Sequence, residues 1–431
     1  MTAAVRGHVK PLDWIDPVHA LSAFAGETGT LLLSGGPDTQ SLLFPGPAAP
    51  FPIGRAEAQS GGWFDAIGAA RDAAAKGDLV AGLFEYEAAR TLSWPDWSPD
   101  TPPIHLFAYR AWLRFDPLAR RVTLEGRATA MRAVEKRLAA VRPLPDARAP
   151  SGSFEPVWPK AKYLQSCHAI LDHIRAGDIY QTNLSQPFAG RLGEGDTPLD
   201  LFRRLTADSP APHGAYLRLP DGRVVISNSP ERFVRLEDGV AQARPIKGTR
   251  PRGATPEADA ALVRELAESE KDRAENLMIV DLMRNDLSRV CAPGSVEVPE
   301  LFKVESFANV HHLVSTVTGQ LAEGRDGLDL LAAAFPPGSI TGAPKLRAMD
   351  ILSAQEGAPR GAYCGALGWI GDRAQTMDFN VMIRTLTLEE EDGGWAVSGR
   401  SGGAITIGSD PEEEYAETMA KASALKKAIA G

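Results

Sequence analysis

The run Arg244-Pro245-Ile246-Lys247-Gly248-Thr249-Arg250 places one lysine between two arginines, beside a glycine and a hydroxyl. Pro245 has no N–H to give to a ladder and Gly248 has no Cβ, so the spacing predicts a strand end turning into a loop whose backbone approaches a ligand closely. Like charge and burial both disfavour the ammonium form, and a lysine so placed acts as a nucleophile at neutral pH. Upstream, Glu237-Asp238-Gly239 is a hairpin-turn signal midway between Glu231 and Lys247. Folding there brings Glu231 to within about one residue of opposite Lys247. A buried carboxyl at that place is raised towards the range in which it donates a proton to a leaving hydroxyl. A solvated basic loop and a cross-strand ion pair have the same composition, so the rest of the chain must decide.

The chain has 431 residues, too many for one compact core. Its 44% hydrophobic and 23% charged content is that of a globular protein, and its net charge of -9 argues against a nucleic-acid partner. An anionic substrate therefore needs a local cluster of cations, helix N-termini or a metal. Cys167, Cys291 and Cys364 make no CxxC pair and no even framework, which fits a reducing compartment. No apolar run reaches the roughly 18 residues of a membrane span. A cytoplasmic chain without a membrane partner is expected.

Residues 1–145 look like a mixed α/β region, with strands at 30–34 and 79–86 and helices at 63–75 and 127–141. Residues 142–160 carry Pro143, Pro145, Pro150, Pro156 and Pro159. They are expected neither to pair nor to coil, and they set the boundary to a second domain, 155–431. There the pattern predicts a helix over 161–176, a strand over 179–185, and consecutive antiparallel strands at 214–219, 224–229, 233–236 and 240–245. One long helix follows over 257–289. Further strands are expected at 296–304, 310–320, 365–370, 376–388 and 395–400, and a last helix over 411–430. Strands that arrive in runs point to the α+β class.

Several constellations bear chemistry. Asp272 and Glu275 share one face of the long helix, and Glu414, Glu417 and Lys421 share one face of the last. Asp410 and Pro411 cap that last helix. Two carboxylate-bearing faces suit a hard cation such as Mg²⁺. Ser339-Ile340-Thr341-Gly342-Ala343-Pro344-Lys345 opens a helix whose free N–H groups can meet a carboxylate. Arg384, expected inside an apolar strand, calls for a bidentate anion. Ser401-Gly402-Gly403-Ala404, expected just after a strand, permits close backbone approach. Of His311 and His312, adjacent on a strand, only one can face a site.

Together these stretches resemble the chorismate-utilising enzymes, nearly without interruption from about 160 to 430 and more loosely before 140. The resemblance implies an α+β fold of two interlocked, mainly antiparallel sheets packed face to face and covered by helices, as in component I of anthranilate synthases. It implies that Lys247 attacks C2 of chorismate while Glu231 protonates the departing 4-hydroxyl. Ammonia then adds at C4 to give 4-amino-4-deoxychorismate, the precursor of p-aminobenzoate and folate. His312 matches the family's active-site histidine. Glu275 and Glu417 match direct Mg²⁺ ligands, with Glu414 and Asp272 acting through water. Gly248, Thr249, Thr341, Tyr363, Arg384, Gly402, Gly403 and Lys421 match substrate-binding positions. Gln181 stands where the water-adding members are expected to carry a lysine, which argues against water as nucleophile. Ala404 departs from the family's third glycine. A tryptophan pocket of the family maps onto Ser34, Pro212, His213 and Gly214. No cysteine sits in a glutaminase-like turn, so ammonia is expected from a separate glutamine amidotransferase subunit, component II. The alternative is amination at C2, as in anthranilate synthases, which are expected to carry alanine at the place of Lys247.

Overall fold

The computed structural model describes residues 7–36, 39–51, 62–93, 103–307 and 310–431. Among these residues the strands make two sheets, one of twelve strands and one of nine. The large sheet runs His8–Leu12, Arg121–Gly126, Ala111–Asp116, Ser41–Phe44, Leu31–Ser34, His213–Arg218, Val224–Ser229, Thr385–Glu391, Gly394–Ile405, Gln181–Arg191, Gly342–Ala343. The small sheet runs Ile246–Pro251, Val310–Gln320, Val240–Ala243, Arg232–Glu237, Thr376–Val381, Ala366–Gly371, Leu79–Phe84, Ile104–Tyr109. Both take strands from either side of residues 142–160.

The strand Leu79–Phe84 shows how the layers are made. Its odd residues Leu79, Ala81 and Leu83 lie between the sheets with Phe107, Leu217 and Leu367. Its even residues Val80 and Phe84 face the outer helices with Phe233, Ile279 and Leu330. Successive side chains of a strand point to opposite faces, so Leu-Val-Ala-Gly-Leu-Phe can be apolar throughout only because both faces are covered. The outer face of the large sheet is closed in the same way, where Leu113, Phe115 and Phe188 pack with Leu21, Val134, Phe202 and Leu425 of the helices. The order is helices, sheet, sheet, helices: the α+β arrangement of two face-to-face sheets that the sequence led us to expect. No helix among the described residues is long and apolar enough to cross a membrane.

The sheets interlock at two crossings. Val224–Ser229 belongs to the large sheet and Arg232–Glu237 to the small one, so the expected run of consecutive strands is split at Ser229-Pro230-Glu231. Pro230 cannot donate to a ladder, which frees the chain to change sheets there. The expected single strand over 376–388 is two strands, Thr376–Val381 in the small sheet and Thr385–Glu391 in the large one, joined through Met382-Ile383-Arg384. The crossings hold each other: Val381 N donates to Glu231 O, Asn228 N donates to Arg384 O, both at 3.0 Å, and the Ser229 hydroxyl donates to Val381 O at 2.5 Å.

Other expectations are corrected. The long helix is two, Pro256–Glu268 and Glu270–Ser288, because Ser269 adopts an extended backbone and its hydroxyl caps the second helix by accepting from Asp272 N at 3.3 Å. Ser153–Pro156, within the stretch expected not to pair, is a strand on the flank of Gln181–Arg191. Ile246–Pro251 is a strand rather than a loop. It lies at a sheet edge, where proline is tolerated, and its register with Val310–Gln320 shifts between Ile246 and Thr249, so Lys247 and Gly248 form a bulge. Ser401-Gly402-Gly403-Ala404 does not follow a strand but lies inside one, Gly394–Ile405, in register with residues 183–186 of Gln181–Arg191.

Candidate active site

The crossings, the bulge, and the starts of Glu270–Ser288 and of the last helix, Pro411–Ala430, open onto one cavity of about 610 Å³, a size suited to a small organic ligand. Glu231 enters from the first crossing and Arg384 from the second. Lys247, Gly248 and Thr249 come from the bulge, where Gly248 has φ of +81°. A Cβ there would lie 2.8 Å from Cγ of Asp272, so the bulge seats against the helix only with glycine.

Glu231 and Lys247 meet at Ser339. Lys247 Nζ donates to Ser339 O at 3.1 Å, and the Ser339 hydroxyl bonds the Glu231 carboxyl. Burial pushes that carboxyl up to about 7, against Ser339 and Lys247, which favour its ionised form. Burial also lowers Lys247, with the Glu275 charge opposing and Lys421 assisting. Both shifts favour the uncharged forms, so the pair tends towards a carboxylic acid beside a free amine. His312 faces this cavity, its Nδ1 2.9 Å from the Thr249 hydroxyl, and burial lowers it to about 4, which makes it a neutral imidazole. His311 points the other way, to Asp259 and Ser306.

The wall beside the bulge is acidic. Glu275, Glu414, Glu417 and Asp272 all line it. Burial raises Glu275 and Glu414, and the neighbouring Glu417 charge adds to both. Burial acts the same way on Glu417, but Lys421, 2.5 Å away, and Lys247 outweigh it and hold that carboxyl low. Asp272 is engaged by Arg250 at 3.1 Å. Among the described residues no three carboxylates, imidazoles or thiols already converge as a metal cage. Yet the Ser409 hydroxyl satisfies one oxygen of Glu414 while Oε2 is buried without a partner. An orphaned carboxylate oxygen, beside carboxylates that raise one another, fits a cation that takes one or two protein oxygens and fills its other positions from water and substrate.

Arg384 makes no ion pair or side-chain hydrogen bond among the described residues, and burial lowers it. It sits at φ +52° in the crossing, not inside a strand, and no protein carboxylate meets it. Tyr363, Gly402 and Lys421 also line the cavity, Lys421 Nζ donating to Gly402 O at 3.2 Å. Gly403 lies behind this lining, where a Cβ would come 3.0 Å from Glu414 Oε2. Thr341 and Gln181 are buried and lie outside the lining. Thr341 is structural, its hydroxyl donating to Pro337 O and its carbonyl accepting from Thr182 and Asn183. Sequence reasoning missed Asn183, Lys271 and Arg400, all of which line the cavity, and it named Ser339 only as the start of an anion-handling stretch.

Ser34, Pro212, His213 and Gly214 line a second cavity of about 580 Å³. Pro230 and Ile246 line both cavities, so the residues next to the acid and next to the lysine form the partition between them.

The family of chorismate binding enzymes matches this chain over residues 30–427. Aminodeoxychorismate synthase component 1 of Salmonella typhimurium is 48% identical over 266 residues, 62% of this chain and 57% of that protein. Anthranilate synthase component 1 of Streptomyces coelicolor is 44% identical over 270 residues, 63% of this chain and 52% of that one. The match thus spans little more than half the length of these curated relatives. The crystal structure of anthranilate synthase component I from Streptococcus pneumoniae superposes with a TM-score of 0.73 at 25% identity, covering 99% of this chain and 94% of the other.

Proposed function

This chain belongs to the chorismate-binding enzyme family, and from that premise we propose that it aminates chorismate at C4, as the ring-processing component of an aminodeoxychorismate synthase. The observation that carries the reading is the Glu231–Lys247 pair on Ser339, two groups whose surroundings favour an acid and a free amine side by side.

In the proposed reaction Lys247 Nζ forms a bond to C2 of chorismate. Both ring double bonds shift, from C1=C2 and C5=C6 to C6=C1 and C4=C5, and the 4-hydroxyl leaves as water with the proton of Glu231. Ammonia adds at C4, both double bonds shift back, and the C2–N bond to Lys247 breaks, releasing 4-amino-4-deoxychorismate and the amine. Glu231, now a carboxylate, takes up the proton that the incoming nitrogen sheds. Arg384 would hold a substrate carboxylate, with Tyr363 and Lys421 beside it; a desolvated guanidinium without a protein partner is suited to that bond. His312, neutral at working pH and bonded to Thr249, would steady the bulge that aims Lys247.

Glu275 and Glu417 would hold Mg²⁺ directly, with Glu414 and Asp272 reaching it through water. Such an ion supplies positive charge that binds a ring carboxylate and offsets the repulsion of the glutamates.

The nitrogen would come from a separate glutamine amidotransferase subunit. Cys167, Cys291 and Cys364 are all buried, and burial pushes their thiols up, Cys167 and Cys364 to about 12. None is the thiolate that a glutaminase needs.

The test is to incubate the purified chain with chorismate, Mg²⁺ and an ammonium salt, and to identify the product by mass. 4-Amino-4-deoxychorismate is expected, with none formed from glutamine alone. Anthranilate as the main product would favour the C2-aminating alternative, which the Streptomyces coelicolor relative represents.

A further inference from the structure

Asn183 is fixed through its backbone, and its side chain is left without a protein partner among the described residues. Its N–H donates to Thr341 O at 3.0 Å, its C=O accepts from Arg360 Nη2 at 2.6 Å, and it pairs with Ala404 in the ladder. Its side chain lines the catalytic cavity, the residue is only 7% exposed, and its Nδ2 is buried with no hydrogen-bond partner among the described residues. On this strand the Thr182 hydroxyl donates to Thr341 O and the Ser185 hydroxyl donates to Glu356, while Gln181 Oε1 and Gln186 Oε1 are buried unpaired acceptors. Asn183 has the strand's unpaired side-chain donor and, unlike the two glutamines, lines the cavity. An amide donor left unpaired inside a protein costs free energy comparable to a hydrogen bond, so its retention at a cavity wall points to a partner that arrives with the ligand.

The position of Asn183 narrows which atom that is. Thr341, which holds Asn183, is two residues from Ser339, which holds both Glu231 and Lys247. Asn183 therefore stands beside the segment on which the acid and the amine meet, one ladder step from Gly403, which lies against Glu414 and Glu417. We propose that Asn183 is a specificity-determining residue whose carboxamide hydrogen-bonds the oxygen at C4 of the ring, the oxygen that Glu231 protonates. The inference rests on the functional reading above. It adds a second contact to the leaving hydroxyl: Glu231 gives the proton, and the amide orients the oxygen that receives it.

The experiment compares wild type with Asn183→Leu, a close apolar isostere, and with Asn183→Ser as a smaller variant should leucine fail to fold. Equilibrium binding is measured for chorismate and for an analogue with hydrogen in place of the 4-hydroxyl, alongside kcat and KM for chorismate. Losing one hydrogen bond in a desolvated site should lower chorismate affinity and kcat/KM roughly 10- to 100-fold. Affinity for the deoxy analogue should be unchanged. Equal losses for both ligands, or no loss for either, would overturn the proposal. Because binding needs no turnover, a wild-type chain that bound chorismate without aminating it would refute the functional reading and still leave this comparison decisive for Asn183.

Discussion

The two cavities on either side of Pro230 and Ile246 are built from similar side chains and finished differently. In the one lined by Ser34 and Gly214, Arg232 meets Asp378 through two hydrogen bonds of 2.9 and 3.1 Å, Arg244 meets Glu305, and Arg235 meets Glu237. There the one buried unpaired side-chain atom among the described residues is neutral, Gln40 Oε1; in the catalytic cavity Arg384 has no anionic partner among them, and Glu414 Oε2 and Asn183 Nδ2 are buried unpaired. The first set of charges is complete in the protein alone. The second is incomplete, and a buried group without a partner is a debt that only a ligand settles. Saturation, more than the number of charged residues, separates a wall that keeps its shape from a wall that works on a substrate.

The largest test of this contrast is Lys247→Ala. Removing the amine deletes the covalent route, so 4-amino-4-deoxychorismate formation should fall by about 10³-fold or more. Direct attack of ammonia at C2 would remain open and yield some anthranilate. Full activity in the alanine variant would sink the proposed mechanism. Peptide mapping of wild type quenched during turnover should find the adduct on Lys247.

Glu275→Ala or Glu417→Ala comes next, with an expected drop of roughly 10²–10³-fold in Mg²⁺-dependent turnover. Thermal melts give an independent readout. Mg²⁺ should raise the wild-type midpoint, because it binds only the folded chain, and should leave the variants unmoved. A wild-type midpoint indifferent to both Mg²⁺ and chelator would remove the metal from this wall. Glu414→Ala should have a milder effect on turnover, because its contact would pass through water.

Arginine swaps probe the contrast itself. Arg384→Met should raise KM for chorismate by about 10²-fold, while the free protein melts no lower, and even higher, because a desolvated charge is gone. Arg232→Met should do the reverse. It leaves Asp378 unpaired, costing about 1–2 kcal/mol of stability, discounted because both side chains are one-fifth exposed, and it should hardly change KM. Destabilisation by both swaps would mean that Arg384 has a structural role.

Much of this was legible in the sequence. The Asp238-Gly239 turn does bring Glu231 and Lys247 to one place, and Asp410 with Pro411 does start the last helix. What the residues did not show was which sheet each strand joins, because alternation reports burial and not the partner. Two signals were present. A strand over 376–388 would have 13 residues where five or six are usual, and its break is the crossing that carries Arg384. A helix over 257–289 exceeds ordinary length, and Ser269-x-x-Asp272 is a cap signal in its middle. Asn183 was harder: it reads as one polar residue in a buried strand, and only the absence of a partner in three dimensions sets it apart.

The smallest effect concerns stability and its pH dependence. The Glu231 carboxyl is raised from an ordinary 4.5 to about 7 by burial. A group whose pKa is raised by folding stabilises the fold fully below its unfolded value and loses that contribution as pH climbs through the folded value. Wild type should therefore lose stability between about pH 4.5 and 7 relative to Glu231→Gln, which keeps the shape and cannot ionise. A shift of this size corresponds to at most about 3 kcal/mol, and water in the open cavity should trim it to roughly 1–2 kcal/mol. Denaturant melts of both proteins at pH 5 and pH 8 measure it: a difference near zero at pH 5 should become a stabler glutamine variant at pH 8. The glutamine variant should be almost inactive at both, since it has no proton to give the leaving hydroxyl. If the two proteins differ by the same amount at both pH values, Glu231 titrates normally and stands in water. It would then be one more satisfied carboxylate, and the acid half of the pair on Ser339 would have to be sought elsewhere in the cavity.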